Sequence, residues 1–295
     1  MLLFVLLLSF ALLRGAGGTP FNPPPGFPRL PPSLQVQLTN FYNLDEPWFV
    51  EFLTYLKNIA TLDFGPSLIH RHLSVDSVIE QSFPVSAELA LLASAFAVPL
   101  GILLGLAGAL HSRTRLDALI TSFATVLLVV PVFLFAEVVS DRLIDDWGLV
   151  ERGWEGWSTK LAPAVVLGLA PAGYIARLVR TAAVETLSEP YVVTARAKGL
   201  RRRRIVVAHV LRNSLTPFLA AAVPTLALLV TGAFFVESAF GIPGASSFFL
   251  DAARSRDYPM VLGLTVVLTT VVLGASLAAD IAAAALDPRI REERR

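Results

Sequence analysis

Cysteine is absent, which excludes disulfides, thiolate metal sites and cysteine nucleophiles and leaves the redox compartment open. Lysine is confined to Lys57, Lys160 and Lys198, and none of them closes a G-x-x-x-x-G-K-[ST] phosphate loop, so the chain does not bind and split ATP by itself. No G-x-S-x-G elbow supports a serine hydrolase. His70, His72, His111 and His209 fall on separate segments. The His70–His72 pair has no carboxylate beside it, so it reads as a solvated loop pair rather than a metal site. Charge is also scarce: 16% of residues are charged, against roughly 25% in a soluble domain. The net charge of +1 gives no global field that would attract nucleic acid.

What is abundant is apolar surface: 55% of residues are hydrophobic and the mean hydropathy is +0.65. Too few side chains face water to coat a globule of this size, so the chain is read as an all-α integral membrane protein. A bilayer core of about 30 Å needs roughly 20 apolar residues in helix. Val85–Leu110, Leu119–Val139, Leu161–Ala183, Leu215–Val236 and Val261–Ala285 meet that length. Leu2–Leu13 spans only about 18 Å as helix and lacks the basic start of a signal peptide. Residues 1–13 are therefore expected to be a first crossing with a short or missing beginning, giving about six crossings.

Lys and Arg in the loops set orientation. Arg113, Arg115, Arg177, Arg180, Arg196, Lys198, Arg201–Arg204, Arg212, Arg289, Arg291, Arg294 and Arg295 place fifteen of the 24 cations on one side. That side, with the tail 286–295, is expected in the cytoplasm, and 14–84 outside. Within 14–84, "TPFNPPPGFPRLPP" is extended by its prolines. Phe49, Phe52, Leu53, Leu56 and Ile59 then recur at helical spacing, which predicts short helices on the outer surface or against the bundle. Acids near the membrane are costly and often functional. Glu88, Glu137 and Glu237 read as interfacial caps at helix ends, and Asp280 as a packing or snorkelling partner of a basic residue such as Arg289. No row of acids marks a proton-coupled pump.

The densest chemistry is "EPYVVTARAKGLRRRRIVVAHVLRNSLTPF", residues 189–218. Arg196, Lys198, Arg201, Arg202, Arg203, Arg204 and Arg212 crowd there, with no acid between Glu189 and Glu237. Pro190 suits a first helical turn, and Gly199 offers the left-handed position that ends a helix. A second helix is expected from Leu200 to Asn213, with Ile205, Val206, His209, Val210 and Asn213 on one face. Four arginines at a helix start oppose its dipole, so the segment calls for an acidic or phosphate-bearing neighbour. Contact with anionic lipid explains the charge alone. A docking surface for a cytoplasmic partner explains the charge and the helix-Gly-helix form together.

This stretch resembles the cytoplasmic EAA-type loop of ATP-binding-cassette importer permeases of the dipeptide and oligopeptide type. The agreement runs through Tyr191, Val192, Thr194, Ala195, Arg196, Ala197, Lys198, Gly199, Leu200, His209, Leu211, Arg212, Asn213 and Pro217. It extends to Ile175, Ala176, Arg177 and Arg180, to "VESAFGIPG" and "RDYP", and to Asp280, Leu286, Asp287, Pro288, Arg289 and Arg291 near the end. The usual basic start of the first helix is missing. The long outer segment is similar to that of the first permease of a heterodimeric pair.

The resemblance implies a type I importer permease fold: an outer segment 14–84, a five-helix core 85–285 and a coupling loop 184–214 within it. It implies a second homologous permease, two ATPase subunits that carry ATP and magnesium, and an extracytoplasmic binding protein, with no cofactor on this chain. Arg196, Lys198 and Arg201–Arg204 would dock electrostatically, Gly199 would make the bend, and Ala195, Ala197, Val206 and Val210 would pack on the partner. An ATP-independent channel or secondary carrier, and a scaffold whose basic loop only binds lipid, remain the alternatives. Dipeptides, oligopeptides, glutathione, nickel chelates and some sugars are all substrates of this architecture.

Overall fold

The computed structural model describes residues 1–15, 31–69, 73–211, 214, 229 and 232–286. The proline cluster, His70 and His72, Arg212 and Asn213, most of the expected crossing Leu215–Val236, and the basic tail lie outside the described residues, as do the side chains of Arg202 and Asp280. Among the described residues the chain is helical apart from turns and one isolated antiparallel bridge between Pro66 and Ser74. Among the described residues three helices are long and apolar enough to cross a membrane, or up to five if each sharply bent pair counts as one crossing.

Two compact units are formed. The first takes Met1–Ala87 and Pro243–Val271. It holds α1 (Leu2–Gly15), α2 (Pro32–Tyr42), α3 (Trp48–Ala60), the start of α4 (Val75–Leu110), α11 (Ala245–Ser255) and the start of α12 (Tyr258–Leu286). Phe10 of α1 meets Phe52 of α3 at a centroid distance of 5.3 Å, and Leu6, Tyr55, Val75, Val78, Met260 and Leu264 fill the same core. Residues 14–84 thus do not form a unit alone: their helices share a core with α1 and with the chain after Pro243.

A buried carboxylate ties this unit together. Asp257 precedes α12 and accepts from the Met260 backbone N–H at 3.4 Å, an N-cap contact. It also accepts from the Ser67 hydroxyl and, at 3.2 Å, from the Leu68 N–H, so the loop before α4 is fastened to the start of the last helix. Burial raises the Asp257 pKa, with the Ser67 and backbone donors opposing that rise. Burial likewise raises the Glu51 pKa, although Arg14 beside it pulls the other way.

The second unit takes Glu88–Ile242 and Val272–Arg295. It contains the rest of α4, α5 (Arg115–Val129), α6 (Val132–Ser140, continuing as a wider π-type turn Asp141–Asp146), α7 (Trp157–Ser188) and α10 (Gly232–Phe240). Helix α7 is its centre: Val166, Leu167, Ala172, Ile175, Ala176, Val179 and Ala183 are all buried. Without water to drive apolar association, membrane helices pack through small residues that let backbones approach. Gly101 and Gly105 of α4 do this against α7. A Cβ at Gly101 would lie 2.6 Å from the Ile175 Cβ, and one at Gly105 would lie 2.7 Å from the Ala176 carbonyl oxygen.

The expected crossing Leu119–Val139 is not one straight helix. It breaks at Val130–Pro131 and turns by 92°. Pro131 lacks the N–H a continuing helix needs and biases Val130 to extended backbone, found at φ −69° and ψ 119°. The first core crossing begins at Val75 rather than near Val85, so Pro84 and Glu88 lie well inside α4. Glu88 is therefore no cap. Its carboxylate accepts from Lys160 Nζ at 2.7 Å and Trp154 Nε1 at 2.8 Å, and the ammonium lies 5.0 Å from the Trp154 ring centroid. Glu237 is fully buried in α10, three residues before the end of that helix, whereas Glu137 is exposed.

Candidate functional site

Helix α7 ends at Ser188 and α8 (Pro190–Ala197) begins after the single residue Glu189, whose φ of −66° and ψ of 142° turn the chain. Pro190 is the first residue of α8, where its missing N–H costs nothing. The helix closes with a Schellman motif: Leu200 N–H donates to the Ala195 carbonyl at 3.2 Å and Gly199 N–H to that of Arg196 at 2.9 Å. Gly199 takes the left-handed φ of 76° that the motif requires, and no atom lies within 4 Å of where its Cβ would be. Leu200 joins Ala195 in one apolar cluster, the hydrophobic contact that accompanies such a cap. α9 (Arg202–Ile205) follows and widens into a π-type turn over Val206–Leu211. The edge of the Tyr191 ring meets the His209 ring at 6.1 Å, joining the two arms.

The arms are held from one side. Val192 and Ala195 of α8, with Ile205 and Val210 after the turn, are buried against Ala109 of α4 and Ala183 of α7; Leu106, Val184 and Leu187 pack around them. The loop is thus packed onto the ends of α4 and α7. Its apolar residues divide accordingly. Ala195 and Val210 are used up inside the chain, Val206 is half-buried, and Ala197 is exposed. The expectation that all four pack on a partner is corrected to Ala197 alone as fully available, joined by Tyr191, Val193 and Val207, which are 43%, 55% and 57% exposed.

Thr194, Arg196, Lys198, Arg201, Arg203 and Arg204 are exposed, and among the described residues these cations form no ion pair. A groove of about 490 Å³ runs between Leu110 and Ser112, Leu187, and the loop residues Arg196, Leu200, Ile205 and Val206. The site therefore presents exposed positive charge and an open groove on an internally packed support. It can bind an acidic surface and transmit a push.

One feature beside the loop escaped the sequence reading. Arg180 of α7 forms a two-pronged pair with Asp117 of α5: Nε to Oδ1 at 2.6 Å and Nη2 to Oδ2 at 2.7 Å. The available signal was Thr114 followed three residues later by Asp117, a helix-start pattern. In the structure Thr114 is the N-cap of α5 and Asp117 is buried.

Comparison with known proteins identifies the architecture. Residues 97–292 match the family described as "Binding-protein-dependent transport system inner membrane component". The oligopeptide transport system permease protein OppB of Haemophilus influenzae is 36% identical over 294 residues, covering 98% of this chain and 95% of the relative. The dipeptide transport system permease protein DppB of Bacillus subtilis is 35% identical over 291 residues, covering 98% and 94%. Among solved structures, the MetNI methionine ABC transporter in an inward-facing conformation has a TM-score of 0.59 at 19% identity, covering 71% of this chain and 96% of that one. An amino acid ABC transporter crystallised with histidines gives a TM-score of 0.54 at 13% identity, covering 72% and 94%. The fold is that of a type I ABC importer permease, and the chain belongs to the family of inner membrane components of binding-protein-dependent transport systems.

Proposed function

We propose that this chain is one permease of an ATP-driven importer of dipeptides or oligopeptides, paired with a second permease and gripped from the cytoplasm by two ATPase subunits. An extracytoplasmic binding protein delivers substrate from the opposite side. The peptide class rests on the likeness to OppB and DppB. The observation that carries the coupling role is the loop itself: exposed cations, unpaired among the described residues, on two short helices whose inner faces are packed into the ends of α4 and α7.

The mechanism follows from stiffness. When the ATPase subunits close on ATP, α8 and α9 are carried with them. Motion passes through the one-residue joint at Glu189 into α7, and through Ala109 and Leu106 into α4. A floppy basic loop would absorb the displacement, whereas a packed one passes it on to α4 and α7. ATP and magnesium are bound and used on the partner subunits. This chain supplies the path and the lever.

Purification in a gentle detergent tests the reading. The expected result is an ATPase subunit and a second permease in stoichiometric amounts with this chain. A chain that comes away without an ATPase subunit, yet moves solute in proteoliposomes, would establish an ATP-independent channel or carrier instead.

A further inference from the structure

Resting on the coupling role above, we propose that Asp117 and Arg180 are a positioning pair that locks α5 to α7, so that α5 moves as one body with the coupling loop. Arg180 lies eight residues before the end of α7, about 12 Å along the axis. Ala183, less than one turn further on, is in the apolar seam that holds α8 and α9. The arginine is therefore on the same rigid stretch of helix that the loop pushes.

The geometry on the other side is equally specific. Two parallel N–H···O bonds from one guanidinium fix both the rotation and the slide of a carboxylate, which a single contact does not. Asp117 is in turn held by its place in the first turn of α5. Its Oδ2 accepts from the Arg113 N–H at 2.9 Å, and its Oδ1 accepts from the Thr121 hydroxyl at 3.4 Å. The Asp117 side chain is 7% exposed and that of Arg180 29%, so the carboxylate end of the pair is largely shielded from water. Gly108 of α4 closes a third side, where a Cβ would lie 3.2 Å from Arg180 Cδ and 3.4 Å from Asp117 Oδ1.

The rest of the α5–α7 contact is of another kind. Gly173 meets α5 so closely that a Cβ would be 2.6 Å from the Ala124 carbonyl oxygen. A close backbone contact of this kind resists separation, and among the described residues no charge pair or hydrogen bond other than the Asp117–Arg180 fork joins α5 to α7. The fork supplies the stop against sliding.

The test uses the assembled transporter in nanodiscs, with spin labels on Leu119→Cys in α5 and on Ala208→Cys, an exposed loop position that carries no docking charge; the absence of native cysteine leaves these as the only labelled sites on this chain. Leu119 is 68% exposed on this chain, so its label displaces no core contact within it. The inter-label distance is measured without nucleotide and with ATP. The expected result is one unchanged distance in the otherwise native chain, and a distance that shifts or broadens on ATP in Arg180→Lys, which keeps the charge and loses the fork. Asp117→Asn is expected to behave like Arg180→Lys, and Asp117→Glu to restore the narrow distribution.

Uptake of a tritiated tripeptide per ATP hydrolysed is expected to fall about tenfold in Arg180→Lys, in the range of ordinary allosteric coupling. A distance that changes on ATP in the native pair would overturn the inference, as would an unchanged distance in Arg180→Lys. Should Asp117→Asn not assemble, Arg180→Lys decides alone. Failure of the native chain to retain any ATPase subunit would instead sink the proposed function, and this inference with it.

Discussion

At Gly199 conformation is separable from packing. Its φ of 76° is open to glycine at no steric cost, and nothing lies within 4 Å of the place a methyl group would take. Gly199→Ala is therefore expected to cost about 1 kcal/mol through backbone strain alone. It should lower the ratio of uptake to ATP hydrolysis without releasing the ATPase subunits, read by transport and co-purification together. Gly199→Pro cannot reach that φ, so it is expected to insert normally yet abolish coupled uptake; normal uptake would remove Gly199 from the account.

Asp257 gives a residue-scale prediction with a definite sign. Its pKa in the folded chain is raised above the usual carboxylate value of about 3.9. The folded state then binds the proton more tightly than the unfolded one. The stabilisation is complete below that unfolded value and is lost as pH rises through the folded one. Asp257→Asn removes this titration while keeping an acceptor for the Leu68 N–H. The unfolding midpoint of the native chain in nanodiscs is thus expected to fall relative to Asp257→Asn as pH rises from about 4. A difference that grows in the opposite direction would contradict the burial assignment. Glu51 shifts in the same direction, so part of the native slope persists in the variant.

At the scale of elements, the close approach of α4 to α7 is where a single side chain does most damage. Gly105→Ile would place its Cβ 2.7 Å from the Ala176 carbonyl oxygen and 2.8 Å from the Val179 Cβ, backbone and branch points that cannot swing away. Overpacking of this kind costs about 1–3 kcal/mol. The expected result is a lower unfolding midpoint and reduced yield of folded protein in detergent. Gly274, with no atom near its Cβ position, is the matched control and should tolerate alanine.

The same scale shows what the sequence could reveal. Apolar runs and the loop's Pro190 and Gly199 read directly as crossings and as a helix-turn-helix, because each rests on local backbone chemistry. Helix α4 was expected to start ten residues late, since Pro84 reads as a boundary although a long helix can carry it. The break at Pro131 lay hidden inside an unbroken apolar run. The Asp117–Arg180 and Glu88–Lys160 pairs join residues 63 and 72 positions apart, and no local pattern encodes such partners. Likewise, the loop's residues advertise an apolar face but not which part of it the chain keeps for itself: Ala195 and Val210 turn inward, Ala197 does not.

At the scale of the whole molecule, the account depends on the basic loop lying in the cytoplasm and meeting a separate ATPase. A single Lys198→Cys in this cysteine-free chain reports both facts. The measurement is labelling by a membrane-impermeant maleimide in right-side-out and inside-out vesicles, before and after the ATPase subunits are stripped away. The account predicts labelling only in inside-out vesicles, strong when the ATPase is absent and suppressed when it is bound again. Labelling from the outer face, or labelling that rebinding the ATPase leaves unchanged, would contradict it.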